Sequence, residues 1–293
     1  MTPTRDFDVV VYGASGFVGA QAAHYLHAHA PGLRLGLAGR DSAKLKAVQQ
    51  AGAQGAQVLV ADAQDSATLN ALAARTRVVL SCAGPFALYG SALVAACVEN
   101  GTHYVDITGE TPWVRGLIDQ HHAQAVRKHT RIIPFCGFDS VPSDLGAWLL
   151  ARSIWQRFGR PCVNVKAAFS MRGGLNGGTL ASALNMMESG QAEKMADPFL
   201  LNPVGGVPRE GLGPHQDPIA PHRDDDFKAW LGPFVMAPIN TRVVRRSAAL
   251  LAAAGDPAYT LGLTYQEYLR FGSGPLAAVT AAGVSMGMGL GQG

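Results

Sequence analysis

Through residues 8–136, short apolar runs alternate with longer segments rich in Ala and Leu. The runs at 8–12, 33–38, 57–61, 78–82, 102–108 and 131–136 read as strands, and the amphipathic stretches between them as helices. Strand–helix alternation at this spacing predicts β-α-β units and a parallel sheet. Right-handed crossovers then set every loop that follows a strand along one rim, where ligands of such sheets bind. A longer helix is expected from 142 to 158, with Asp139, Ser140 and Ser143 crowding its start and Pro142 in its first turn. Beyond Gly159-Arg160-Pro161 the pattern changes to one long strand at 163–171 and a helix at 179–187. Eight prolines then fall among glycines and the acidic run Asp224-Asp225-Asp226 across 196–238, which predicts a surface excursion with little regular structure. The expected fold is α/β: a Rossmann-like parallel sheet with helices on both faces at 1–145, then a second, α+β substrate domain at 146–293.

Composition sharpens this picture in a few places. A length of 293 residues favours two domains, and 48% hydrophobic residues supply a core that a disordered chain lacks. Formal net charge is only +3 with no long basic run, so nucleic acid is not an expected partner. Cys82, Cys97, Cys136 and Cys162 form no C-x-x-C pair, and neither a zinc site nor a disulfide framework is expected. His24, His27 and His29 read as a polar helix face, not a metal site. The polar, acidic start has no secretory signal pattern, which makes a cytoplasmic location the default expectation. Residues 271–293 carry no charge; seven glycines argue against a spanning helix, while adhesion at the plasma membrane surface stays open.

The sharpest chemical signal follows the first strand: Gly13-Ala14-Ser15-Gly16-Phe17-Val18-Gly19. Gly13 is expected to make a tight turn, Gly16 to let the backbone approach a pyrophosphate, and Gly19 to let the helix sit against the sheet. The helix opening at Phe17 points its amides and dipole at the phosphates, with Ser15 and Val18 in the same loop. At the end of the second strand, Leu37-Ala38-Gly39-Arg40 offers no acid for a ribose hydroxyl. Arg40, with Lys44 nearby, instead suits a 2′-phosphate, so NADP is preferred over NAD. Asp62, after the third strand, is placed to accept from the adenine amino group or to cap the next helix. Cys82-Ala83-Gly84-Pro85, after the fourth, is expected to pass beneath the nicotinamide ribose, with Cys82 a small hydrophobe and not a nucleophile.

These runs, together with Gly84-Pro85-Phe86-Ala87-Leu88-Tyr89-Gly90, Thr102-His103-Tyr104-Val105-Asp106-Ile107-Thr108-Gly109-Glu110 and Cys136-Gly137-Phe138-Asp139-Ser140-Val141-Pro142-Ser143-Asp144, resemble the saccharopine dehydrogenase-like oxidoreductases. The resemblance is to the branch of trans-acting enoyl reductases and continues through 172–179 and 233–247. It implies an NADP-dependent reductase acting on a carbon–carbon double bond of a lipid or glycolipid precursor. It also implies a longer chain than this one, so the second domain is expected to be incomplete. The alternatives are reduction of an imine or carbonyl on an amino-acid-like substrate, and a non-catalytic nucleotide-binding protein at a lipid surface.

Hydride transfer also needs a proton source. No tyrosine has Lys four residues on, which excludes the Tyr-x-x-x-Lys arrangement of short-chain reductases. Asp106 and Asp139, at strand ends, and Tyr89 are the candidates near the reacting atoms. Thr111 and Pro112 explain the start of the next helix, which leaves Asp106 and Glu110 without an evident structural duty. Arg242, Arg245 and Arg246 fall on one helix side, either as a solvated stripe or as a docking site for an acyl carrier partner. Oligomeric state is not legible.

Overall fold

The structure is a computed structural model and describes residues 5–170, 192–208 and 213–290. The helix expected at 179–187, and the 172–179 run, lie outside the described residues. The chain divides into two compact units between Gly137 and Phe138.

The first unit is built on a six-stranded parallel sheet of β1 (Phe7–Tyr12), β2 (Leu35–Gly39), β3 (Gln57–Val60), β4 (Thr76–Ser81), β5 (His103–Asp106) and β6 (Ile132–Ile133). The strand order is β3-β2-β1-β4-β5-β6, so the chain reverses direction across the sheet between β1 and β4. Ligands of such sheets bind at that reversal, outside the carboxyl ends of the strands. Between the strands run α1 (Phe17–His29), α2 (Ser42–Gly52), α3 (Ser66–Arg75), the single turn α4 (Phe86–Tyr89), α5 (Ser91–Asn100) and α6 (Thr111–Arg127). Both sheet faces are covered. Val10 and Tyr12 of β1 pack with residues of α3, α5 and α6, whereas Val9 and Val11 pack with residues of α1 and α2. Strands apolar on both sides are what such double coverage demands. β6 is shorter than expected because Pro134 has no N–H to give the ladder and Phe135 has φ 62°.

The second unit holds α7 (Val141–Phe158), β7 (Asn164–Phe169), the turn α8 (Ala192–Met195), β8 (His222–Asp224), β9 (Ala229–Gly232), α9 (Ala237–Ala253), β10 (Thr264–Gly272) and α10 (Pro275–Leu290). Gly159, in the left-handed conformation at φ 63°, ends α7. The sheet order is β7-β10-β9-β8, with β10 parallel to β7 and antiparallel to β9. The proline-rich excursion is therefore more regular than expected, since β8 and β9 form a hairpin within it. Lys166 on one edge strand bonds Asp224 on the other at 2.8 Å, which gives one of the acidic residues a partner. An apolar cluster joins Ala147 and Ala151 of α7 to Val244 and Ala248 of α9 and Tyr265 of β10. Among the described residues, no helix is long and apolar enough to cross a membrane.

The arginine stripe expected on α9 is not a solvated one. Arg242 and Arg245 are 1% and 3% exposed. Arg242 donates to the carbonyls of Asp197 and Met195 at 3.2 and 2.7 Å and pairs with Asp217. Arg245 donates to the carbonyls of Pro198 and Tyr265 at 3.1 and 3.0 Å, and Arg246 to that of Leu201. These guanidiniums staple the 195–201 segment to the helix and offer no free stripe to a carrier. Burial pulls the Arg245 pKa down to about 10.

Candidate functional site

The carboxyl ends of β1 to β4 gather most of the residues expected at the cofactor along one rim. Gly13 sits at φ 78° and its amide donates to Ala38 O at 2.8 Å, so the first turn is held against β2. A Cβ on Gly13 would stand 2.9 Å from Ala83 N, which brings the loops after β1 and β4 into direct contact. A Cβ on Gly19 would meet Gly13 O at 2.3 Å, so only glycine lets α1 start this close to the loop. Gly16 is the N-cap of α1 and offers no side-chain cap to its amides. Ser15, Gly16 and Phe17 are exposed, and Val18 is half-buried. The first turn of α1 thus opens at an exposed loop with no capping side chain on its amides, which is the form a bound pyrophosphate requires.

At the end of β2, Asp41 caps α2 by accepting from the amides of Ala43 and Lys44 at 3.0 and 3.1 Å. That duty holds its carboxyl below the usual carboxylate range, chiefly through the Lys44 amide. Lys44 is exposed and 3.8 Å from Asp41. Arg40 is exposed and makes no ion pair or hydrogen bond among the described residues. After β3, Asp65 and not Asp62 caps α3, accepting from Ala67 and Thr68. Among the contacts described, the Asp62 carboxylate accepts only from the Gln64 amide, at 2.9 Å. The donor set fits NADP: a glycine cradle, uncapped helix amides, an unengaged guanidinium beside the ribose position and no free acid competing there.

On the nicotinamide side, Cys82, Ala83 and Pro85 are half-buried and Gly84 is exposed. Burial pushes the Cys82 thiol up to about 11, with Asp106 adding to the shift, which keeps it protonated and inert. Asp106 is fully buried. Its carboxylate accepts from Tyr104 Oη at 2.9 Å and from the amides of Thr108 and Phe135 at 3.0 and 3.1 Å. Burial raises its pKa to about 6 despite those bonds. The expectation that Asp106 stands beside the reacting atoms thus meets an enclosed group that ties the loops after β5 and β6.

Glu110 likewise has a structural duty that the sequence did not reveal. It is the N-cap residue of α6 but makes no side-chain capping bond to that helix. Its carboxylate reaches the amides of Phe86 and Ala87 at 2.8 and 2.9 Å. Nothing local announces such a contact, because its partners lie more than twenty residues upstream. Tyr89, at the end of α4, is 39% exposed. Asp139 is exposed and belongs to the second unit; its carbonyl accepts from Asn240 Nδ2 at 2.8 Å. Ser140 is the N-cap residue of α7, but its hydroxyl makes no capping bond and donates to Asn240 Oδ1 at 2.9 Å.

The saccharopine dehydrogenase NADP binding domain family matches residues 9–133, the unit that carries this rim. A trans-acting enoyl reductase of Mycobacterium tuberculosis is 40% identical over 301 residues, covering 97% of this chain and 71% of that protein. This chain belongs to the saccharopine dehydrogenase-like trans-acting enoyl reductase family. A second member, from Mycobacterium leprae, is 39% identical, covering 96% of this chain and 69% of its own length. Among solved structures, saccharopine dehydrogenase (L-Glu forming) from Saccharomyces cerevisiae aligns with a TM-score of 0.47 and 21% identity, over 56% of this chain and 34% of that one. As a member of the family, the chain is an NADP-dependent oxidoreductase.

Proposed function

We propose that this reductase family member reduces a carbon–carbon double bond on a lipid or glycolipid precursor, delivered by an acyl carrier. The reading is carried by one observation: similarity to the trans-acting enoyl reductases extends over 97% of the chain and so includes the second unit. A shared nucleotide-binding unit alone would leave the substrate class open. Bound NADPH supplies the hydride in this reading. The chain's own contribution is to grip the pyrophosphate at Gly13–Gly19, read the 2′-phosphate with Arg40, and hold residues 82–85 under the nicotinamide ribose. The carrier would meet a surface other than the buried arginines of α9.

Oxidation of NADPH, followed by its absorbance, tests the proposal with three substrate classes. Enoyl thioesters should be consumed, and imino acids and simple carbonyls left untouched. Turnover confined to imines or carbonyls would assign the alternative reaction. Binding of NADPH without consumption of any of the three would leave a nucleotide-binding protein in place of an enzyme.

A further inference from the structure

Two buried carboxylates of the first unit are linked by the main chain between them. Thr108 N donates to Asp106 Oδ1 at 3.0 Å, and Glu110 N donates to Thr108 Oγ1 at 3.0 Å. The Glu110 carboxylate, 1% exposed, then takes two adjacent amides, those of Phe86 and Ala87. Those amides open α4, directly after Cys82-Ala83-Gly84-Pro85, so the ladder runs from the end of β5 to the loop after β4. Other groups of this region brace the same turn. Trp113 packs on Phe86 with ring centroids 6.0 Å apart and donates to Ser91 Oγ at 2.9 Å. A Cβ on Gly90 would strike the Trp113 ring at 2.6 Å.

We propose that Glu110 is a positioning residue for hydride transfer: it fixes the loop of residues 82–89 so that the nicotinamide end of the cofactor is held while the adenosine end is untouched. The proposal rests on the reading that residues 82–85 pass beneath the nicotinamide ribose. A carboxylate accepting two amides makes charge-assisted bonds, roughly twice as strong as neutral ones, and it complements the positive end of the turn it caps. Glutamine keeps the size of the side chain but loses the charge and has one oxygen in place of two acceptors.

The test compares two ligands on Glu110→Gln: NADPH, and adenosine 2′,5′-bisphosphate, which has the ribose phosphate but no nicotinamide. The Kd for NADPH should rise about tenfold, the equivalent of one bond to a charged group, while the bisphosphate binds as to the wild type. Turnover should show KM for NADPH raised and kcat lowered together. Thr108→Val, which removes the acceptor for the Glu110 amide, should give the same split at smaller size and serves if Glu110→Gln does not fold. Parallel weakening of both ligands would show a general structural role and overturn the proposal, as would unchanged NADPH affinity and kcat. Wild-type protein that binds the bisphosphate but gains nothing from the nicotinamide half would instead sink the reading of residues 82–85.

Discussion

Each unit holds a set of buried charges largely on the main chain, two carboxylates in the first and two guanidiniums in the second. In the first, Asp106 and Glu110 accept from the amides of Thr108, Phe135, Phe86 and Ala87. In the second, Arg242 and Arg245 donate to the carbonyls of Asp197, Met195, Pro198 and Tyr265. Each group bonds backbone outside its own element, since an unpaired buried N–H or C=O would cost free energy. The difference lies in what is pinned. The carboxylates fix loops at the rim proposed to hold the cofactor; the guanidiniums fix a segment of the excursion to α9. The first set is predicted to govern ligand binding and the second stability.

The largest effect that would break this distinction is in the second unit. Arg242→Met removes a guanidinium held by Asp217 and two carbonyls, and leaves that carboxylate without its cation. Breaking a buried pair in this way costs about 3–5 kcal/mol, read as a lowered denaturant midpoint with the slope unchanged. NADPH affinity of the folded fraction should stay at the wild-type value. A variant of undiminished stability, or one that stays stable and loses NADPH, would show that the assignment of the two charge sets is wrong.

A smaller effect sharpens the other half. Asp106 has its pKa raised from 3.8 to about 6, so the folded protein binds a proton that the unfolded chain releases in that interval. Stability from this group is therefore fully present below about pH 4 and is lost as pH rises through about 6. The shift corresponds to about 2–3 kcal/mol across the window. Asp106→Asn keeps an acceptor for the two amides and cannot ionise, so its stability relative to wild type should improve between pH 4 and pH 7. Parallel stability curves for the two proteins would mean that the native carboxyl ionises as freely as an exposed one.

How much of this could be read from the residues differs by region, for a physical reason. The parallel sheet was legible because apolar runs alternating with amphipathic helices pack as right-handed β-α-β units, and five of the six strands lie where periodicity puts them. The glycines were legible because Gly13 and Gly19 answer local constraints, a positive φ and a close backbone approach. β8 and β9 were hidden by prolines and acids that local rules assign to loops, whereas Lys166, more than fifty residues earlier, gives Asp224 its partner. Glu110, left without an evident structural duty, and Arg242 and Arg245, placed on a solvated or docking stripe, share one cause: the groups that hold them lie far along the chain, where no local rule looks.

Arg40 is the counter-case, an arginine on the first unit's rim that is exposed and has no partner among the described residues. If buried arginines stabilise and exposed ones recognise, Arg40→Ala should leave the unfolding midpoint unchanged while altering which coenzyme is bound. A fork onto a 2′-phosphate is worth about 1.5–3 kcal/mol, so the preference for NADPH over NADH should fall roughly 10–100-fold, almost wholly through weaker NADPH binding. Added salt should weaken NADPH binding to the wild type more than to the variant, because an exposed charge pair is screened. Titration of each coenzyme by quenching of tryptophan emission supplies both Kd values. A variant that keeps the preference would move recognition of the phosphate to another group, with Lys44, four residues on and 73% exposed, the first to replace. A variant that instead loses stability would show that exposure is no guide to an arginine's work in this chain, and the contrast between rim and excursion would fall with it.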